Sequence, residues 1–426
     1  MCRRARAAPG TGKGNGRTVE TLRRTFQSLS VRNFRLFVLG QLLSVTCTWM
    51  MVIAQDWLVL ELSGDSGTAL GVVTALQFTP VLLLTLYGGR LADRHSKRSL
   101  LMLANSASGV LALALGLWIL LGEVRLWHIW LFALALGTVN AVEAPTRISF
   151  VGEMVGGELL PNASAMSAAY FNVARVVGPA IAGFLIARLD VAAVVLINAV
   201  SYLGTVASVA LMRPAELHVP AERPARPRVA DGLRYVGRRP DLVLPLVLLG
   251  VVGLAGFNFQ LTLPLMAKTE FHTDSTAFGL LSSSLAAGSL LAAFATTARR
   301  GRPSALVVTG SALAFGATEA LAGLAPTLTT ACLLLTLTGF TMMYFAQASN
   351  HRVQLGTDPA YRGRVMALYT VIFQGGTPLG ALLTGWLAEH WGPRWALSTG
   401  GLITLTTATL TLTLSRRPAP PTPEAR

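Results

Sequence analysis

The sequence predicts an all-α membrane protein whose twelve transmembrane helices form two pseudo-symmetric six-helix halves. Three observations predict it: long runs almost free of charge, bases that return on every second loop, and short motifs that recur in one order in each half. Of the 426 residues, 52% are hydrophobic and only 13% are charged, with a mean hydropathy of +0.55. That is too little charge to clothe a soluble globule of this size. A helix that crosses a bilayer needs about 20 mostly apolar residues. Twelve stretches qualify: 35–61, 68–89, 99–121, 127–149, 163–187 and 191–212, then 241–266, 276–297, 304–324, 327–349, 364–388 and 394–414.

The loops orient these spans. One side receives the tail from Arg3 to Arg35, the loop Arg90 to Arg98, the linker Arg213 to Arg239, and then Arg299, Arg300, Arg302, Arg352, Arg362, Arg364, Arg416 and Arg417. The other side receives only Arg125, Arg188, Lys268 and Arg394. Bases stay on the cytoplasmic side, so both termini are expected in the cytoplasm of a multi-pass protein of the cell inner membrane. Trp57, Trp127, Trp130, Trp386, Trp391 and Trp395 lie near the outer ends, as an interfacial belt requires. The basic start carries no apolar core, so it reads as a cytosolic tail, with the first span as an uncleaved anchor.

The net charge of +15 does not imply nucleic acid, because the bases sit in tails and short loops rather than on one helix face. Cys2, Cys47 and Cys332 have no metal-ligand spacing and make a disulfide framework improbable. "PGTGKGNG" resembles a phosphate loop, but Gly14 follows Lys13 where a hydroxyl is needed, and no strand precedes it. No metal or cofactor is expected, and no paired carboxylates or nucleophile triad mark an enzyme.

A Pro- and Arg-rich linker, 213–240, divides the chain six spans to six, with an amphipathic turn around Gly232 to Arg238. The implied organisation is a tail (1–34), a first half (35–212), the linker, a second half (241–415) and a short tail (416–426). "GTALG" (Gly67 to Gly71) opens the second span and "STAFG" (Ser275 to Gly279) the eighth. "NASAMSAAY" and "RGRVMALYT" lead into the fifth and eleventh, and "VGPAIAG" (Val177 to Gly183) answers "GTPLGALLTG" (Gly376 to Gly385). A charged loop, "GGRLADRHSKR", has a reduced copy in "RRGRPS" (Arg299 to Ser304). Parallel repeats of this kind are a transporter architecture, with the substrate site near mid-membrane between the repeats.

Gly89 to Leu101 resembles the loop signature of the major facilitator superfamily between the second and third spans. Gly89, Leu91, Asp93, Arg94, Lys97 and Arg98 fit it, while Ser96 stands where that family prefers Gly. Arg175 to Gly183 is similar to the fifth-span motif of proton antiporters, with Gly178, Pro179 and Gly183 in place and Ala182 replacing a Gly. "AQDWLVLELSGDSGTALG", "EAPTR" and "YRGRVMALY" resemble the bacterial exporters of drugs and siderophores. The resemblance implies that Asp93 faces the amino end of the eleventh helix near Gly363 and Arg364, where a carboxylate gains about 0.3–1 kcal/mol from the helix dipole. Arg94, Lys97 and Arg98 can then pair with acids or lipid phosphates and latch the halves. The alternative for Lys97 and Arg98 is that they only fix topology. Gly178 and Pro179 can loosen the fifth helix, and Gly178 and Gly183 let helices approach closely; ordinary packing is the alternative.

Charges inside the spans are the remaining signal. Asp56 lies in the outer part of the first span, Glu143 and Arg147 share one face of the fourth, and Arg175 is near the middle of the fifth. Charges at bilayer depth are costly and usually face a partner or a cavity. Burial raises a carboxyl's pKa and a nearby Arg lowers it, so a carboxyl that alternates between the two can carry a proton. Asp56 is the first candidate, against a hydrated interfacial acid. Glu143 is the second, against a permanent ion pair with Arg147 or Arg175. Candidates for a substrate cavity of mixed aromatic and polar lining are Trp49, Gln55, Gln77, Asn140, Asn172, Asn258, Gln260, Gln347 and Phe373. The expected function is proton-coupled efflux of small amphipathic or apolar compounds by a monomer in contact with lipid. Uptake of a small metabolite, or a non-transporting receptor or scaffold, is the alternative.

Overall fold

A computed structural model describes residues 26–218, 229–297, 301–359 and 361–415. The N-terminal tail before residue 26, the phosphate-loop lookalike, the proline-rich centre of the linker, Arg299 and Arg300 of the reduced loop copy, and the C-terminal tail lie outside them.

The helices follow the apolar runs. They are α1 (Arg32–Ser63), α2 (Gly67–Arg94), α3 (Lys97–Leu120), α4 (Leu126–Leu189) and α5 (Val191–Ala210) in the first half, then α6 (Val229–Gly237) in the linker. The second half holds α7 (Pro240–Ala255), α8 (Phe259–Leu265) with a π-turn at Met266–Glu270, α9 (Ser275–Thr297), α10 (Ala305–Gly323), α11 (Leu328–Gly356), α12 (Arg362–Gly375), α13 (Thr377–Trp391) and α14 (Pro393–Ser415). Ten segments are long and apolar enough to cross a membrane. One of them, α4, supplies two crossings, the fourth and fifth spans. Its chain reverses at Gly156, whose φ of 72° a residue with a Cβ rarely adopts.

The twelfth crossing, α14, is rich in threonine and falls outside those ten. Thr406, Thr407, Thr409 and Thr411 donate their hydroxyls to the carbonyls of Leu402, Ile403, Leu405 and Thr407, four residues back, at 2.8 Å each. Polar groups satisfied within their own helix can face lipid. A hydropathy sum counts those hydroxyls as if they still needed water.

Two spans depart from the continuous helices expected. The seventh is broken at Gly256–Asn258 between α7 and α8, and the eleventh is divided at Gly376 between α12 and α13. The breaks adjoin: a Cβ at Gly376 would lie 3.2 Å from the Cα of Leu254, and one at Gly380 only 2.2 Å from its carbonyl oxygen. Asn258 donates to the carbonyls of Leu254 (2.8 Å) and Ala255 (3.4 Å), which the break leaves without helical partners. Pro378 opens α13, where its missing N–H costs nothing.

The belt of tryptophans is partly corrected. Trp127, Trp386, Trp391 and Trp395 are exposed, but Trp57 is buried and stacks on Phe278 of the other half, 6.5 Å between ring centres, and Trp130 is half-buried. The main apolar core runs through both halves, including Trp57, Phe132, Phe278 and Phe315. A second cluster, around Phe34, Phe37, Phe150, Met154 and Met212, anchors the turn between the fourth and fifth spans to the start of α1.

Candidate functional site

α1 begins and α14 ends on one face, here the terminal face; the other is the opposite face. The halves are joined at the opposite face. A Cβ at Gly67 would sit 2.6 Å from the carbonyl oxygen of Gly385, and one at Gly71 at 2.6 Å from that of Ala381. The same contact recurs between α9 and the fifth-span arm of α4: a Cβ at Gly183 would lie 2.5 Å from the oxygen of Ser275, and one at Gly279 2.5 Å from that of Pro179. The two repeated motif pairs of the sequence therefore form the two seams, each sealed backbone to backbone. Ser275 donates to the carbonyl of Gly183 at 3.0 Å and Ser283 to that of Val176 at 2.7 Å. Gly178 instead faces its own half, against Trp49 and the carbonyl of Thr46.

Charge completes the seal. Lys268 pairs with Asp65 at 2.6 Å and lies over the Trp57 ring. Glu389, near the end of α13, accepts from the hydroxyl of Ser66 and the backbone N–H of Thr68, both at 2.8 Å. A carboxylate of one half thus caps the first turn of α2 in the other, where unpaired N–H groups and the helix dipole favour it. Asp65 has φ of 67°, a conformation costing a non-glycine residue on the order of 1 kcal/mol. Sequence reasoning missed Asp65 and Glu389. The available signal was an acid in a Gly-Asp-Ser-Gly turn facing one of the few bases of its side.

The signature loop lies at the terminal face, and there no ion pair is seen between the halves among the described residues. Asp93 is exposed and has no partner among the described residues, and Gly363 has open space around it. Arg94 is exposed as well. Lys97 and Arg98 depart from an inter-half role: Lys97 pairs with Glu153 of its own half, and Arg98 donates to the carbonyls of Val209 (3.1 Å) and Ala210 (2.8 Å) at the end of α5. Glu153 was not foreseen. Its backbone carbonyl also accepts from His218 N–H at 2.7 Å, tying the linker to the turn at Gly156. Gly89 meets nothing, whereas a Cβ on Gly88 would fall 2.1 Å from the carbonyl oxygen of Ala141. The close-packing glycine of the loop is its neighbour. Ser96 has a φ of -60°, open to any residue, and caps α3 by accepting from Ser99 N–H, so the turn needs no glycine there.

The acids within the spans divide into two kinds. Glu143 is paired with Arg147 at 3.0 Å, one turn apart. Arg175 is not part of that pair; it donates to Asn172 at 3.4 Å, and its buried Nε has no partner among the described residues. Asp56 is 4% exposed, and its Oδ2 has no hydrogen-bond partner among the described residues. A second acid of the same kind, Glu319 on α10, is 1% exposed, and its Oε2 has no partner among the described residues. It lies against the break of the seventh span, where a Cβ at Gly256 would be 3.0 Å from that oxygen. Sequence reading passed over Glu319, although it is the one acid between residues 304 and 324.

The cavity candidates also separate. Trp49, Gln77, Asn140, Asn172, Gln260, Gln347 and Phe373 are partly exposed, while Gln55 and Asn258 are buried. Asn258 is occupied by its own helix break, which makes it a structural group. Trp49 meets Phe171 edge to face, and Phe373 stacks on Tyr369 and meets Phe257 at the break. Gln77 is on α2 where the fourth span crosses it, its carbonyl oxygen 2.2 Å from a Cβ placed at Gly137.

Two six-helix halves sealed across one face and, among the described residues, unlatched at the other and enclosing unpaired acids define a transporter rather than an enzyme. The chain belongs to the transmembrane secretion effector family, whose model matches residues 23–422. It is a multi-pass membrane transporter of small molecules with the major facilitator fold. It is 25% identical over 372 residues to the multidrug efflux pump Tap of Mycobacterium tuberculosis, covering 84% of this chain and 87% of that one. It is 26% identical over 377 residues to the enterobactin exporter EntS of Escherichia coli, with 86% and 88% covered. A bacterial homologue of the iron transporter ferroportin, solved in an inward-facing state, shares the fold with a TM-score of 0.70 at 15% identity, covering 91% of this chain and 99% of that one.

Proposed function

We propose that the protein exports small amphipathic or apolar compounds in exchange for protons, by alternating access of halves 35–212 and 241–415 in the cell inner membrane. The terminal face is the cytoplasmic one, following the base distribution, so the described state faces inward. The names of the relatives, a multidrug efflux pump and a siderophore exporter, favour efflux over uptake.

The observation that carries proton coupling is Asp56, enclosed without a cationic partner among the described residues and adjacent in sequence to Trp57, which bridges the halves. An ionised carboxyl enclosed without partners costs several kcal/mol. The opposite-face seam can therefore close over Asp56 at low cost only once the group has taken a proton. A proton received from outside thus favours closure of that face, and its later release to the cytoplasm accompanies substrate loading. That order makes inward proton movement oblige outward movement of the compound. Glu143 is the weaker carrier, because Arg147 already compensates its charge. The protein acts as a monomer with lipid around it.

The test is a proteoliposome assay with an imposed pH gradient and a panel of amphipathic dyes and antibiotics. Asp56→Asn abolishes gradient-driven transport while substrate binding stays intact. Normal transport by that variant ends the assignment to Asp56, and Glu143→Gln and Glu319→Gln are assayed next. Accumulation along the proton flow in place of exchange would make the protein an importer.

A further inference from the structure

Where α6 folds over the start of α12, the terminal face holds a cavity of about 400 Å³ lined by Arg234, Tyr235, Arg238, Arg239, Tyr361 and Arg364. Part of its wall is already committed. The rings of Tyr235 and Tyr361 stack 4.4 Å apart. Arg239 is spent on both oxygens of Asp241 (2.9 and 3.1 Å), the carbonyl of Gly356 (3.2 Å) and the Tyr235 hydroxyl (3.1 Å). The neighbouring acids are spent as well: Asp241 also takes Arg302 at 2.8 Å, and Asp358 accepts from Tyr235 at 2.8 Å.

Two guanidinium groups in this wall remain uncompensated. Arg238 is exposed, and Arg364 lies over the Tyr361 ring at 5.3 Å. Neither has a carboxylate partner among the described residues. They converge from different elements, the turn that follows α6 and the first turn of α12, on one cavity whose lining holds no acid among the described residues. Like charges brought together this way repel unless an anion joins them.

We propose that this cavity binds a phosphate group, held by the guanidinium forks of Arg238 and Arg364 with the Tyr361 hydroxyl beside them. Planar guanidinium matches tetrahedral oxyanions by paired hydrogen bonds. The group belongs either to the headgroup of an anionic phospholipid or to free phosphate. Leu233, 61% exposed on the same short helix, favours the headgroup: an interfacial helix buries such a side chain among acyl chains and holds its bases at headgroup level. A bound phosphate ties the first turn of α12 to α6. That turn carries Gly363 and Arg364, the expected docking place of Asp93, so occupancy opposes closure of the terminal face. This consequence rests on the latch reading; the binding itself does not.

The experiment measures backbone hydrogen exchange in residues 229–239 and 361–368 of the full chain in nanodiscs. The bilayers are phosphatidylcholine alone, phosphatidylcholine with phosphatidylglycerol, and phosphatidylcholine with added inorganic phosphate. Slowed exchange in the phosphatidylglycerol arm alone supports a lipid headgroup, and slowed exchange with inorganic phosphate supports the free anion. R238A/R364A weakens the response to either on the order of 30-fold, about five-fold for each base lost. R35A/R90A, which removes equal charge from the same face, leaves it within about two-fold. No slowing of the wild-type protein in either arm overturns the proposal without recourse to a variant, as does an equal loss in the control pair.

Discussion

The residues that read most clearly from sequence were those whose chemistry is out of place in an apolar run. Asp56, Glu143, Arg147 and Arg175 stood out for that reason, and the structure separates the paired acid from the unpaired one. What sequence spacing did not reveal was which neighbour neutralises which charge, since that is settled by helices distant along the chain. Glu319 shows the limit: one acid in an alanine-rich span looks incidental until the break of the seventh span lies against it. Glu319→Gln keeps the shape and removes the ionisable group. If the acid serves only packing, gradient-driven transport and its pH profile stay unchanged. If it takes part in coupling, as its enclosure suggests, transport falls at least about ten-fold, equivalent to 1.4 kcal/mol, and the pH profile flattens. The glycine pair of the signature loop gives a sharper test. Gly88→Ala drives a methyl into the fourth span and costs on the order of 1–3 kcal/mol, lowering the midpoint of thermal unfolding in detergent. Gly89→Ala leaves that midpoint unchanged.

At the level of helices, hydropathy marked every crossing strongly except the threonine-rich α14, because the bilayer sets their length and demands apolar faces. It could not reveal where a helix is interrupted. The breaks of the seventh and eleventh spans follow from Gly256 and Gly376, but this chain has 41 glycines, and most sit inside unbroken helix. What distinguishes these two is the partner across the interface: Leu254 and Gly380 approach so closely that the two broken helices share one surface. Asn258 stabilises that surface through the carbonyls of Leu254 and Ala255. Asn258→Ala therefore costs about 1–2 kcal/mol of stability, read as a lower midpoint of thermal unfolding, with substrate affinity within about two-fold. Loss of affinity at unchanged stability would restore Asn258 to the substrate cavity. The repeated motifs were legible as echoes in sequence. Their use, as two backbone seams between halves, required the contact between chains of glycine that only folding brings together.

For the whole molecule, α2 and α13 run antiparallel along the seam, and each ends in a carboxylate. Glu389 at the end of α13 caps the start of α2 in the described state. Asp93 at the end of α2 has no partner among the described residues, and the family resemblance directs it to the start of α12. The second and eleventh spans would then exchange caps as the halves rock, one carboxylate latching each closed face. Such an arrangement biases the equilibrium through differential contacts in the two states, the only way a side chain can shift it. The two substitutions must act in opposite directions. Glu389→Gln keeps a hydrogen-bond acceptor but loses the charge, which at an exposed helix start amounts to about 0.5–1 kcal/mol. That shifts the population toward an open opposite face by about two- to five-fold. Asp93→Asn removes the latch of the other state and shifts the population toward an open terminal face by a similar factor. Distances between paired spin labels at each face, measured in nanodiscs, report both populations. The double variant returns near the wild-type ratio but exchanges faster between states, because both closed forms have lost a contact that their interconversion must break. Shifts of the same sign from the two single variants would show that the carboxylates do not act as alternating caps.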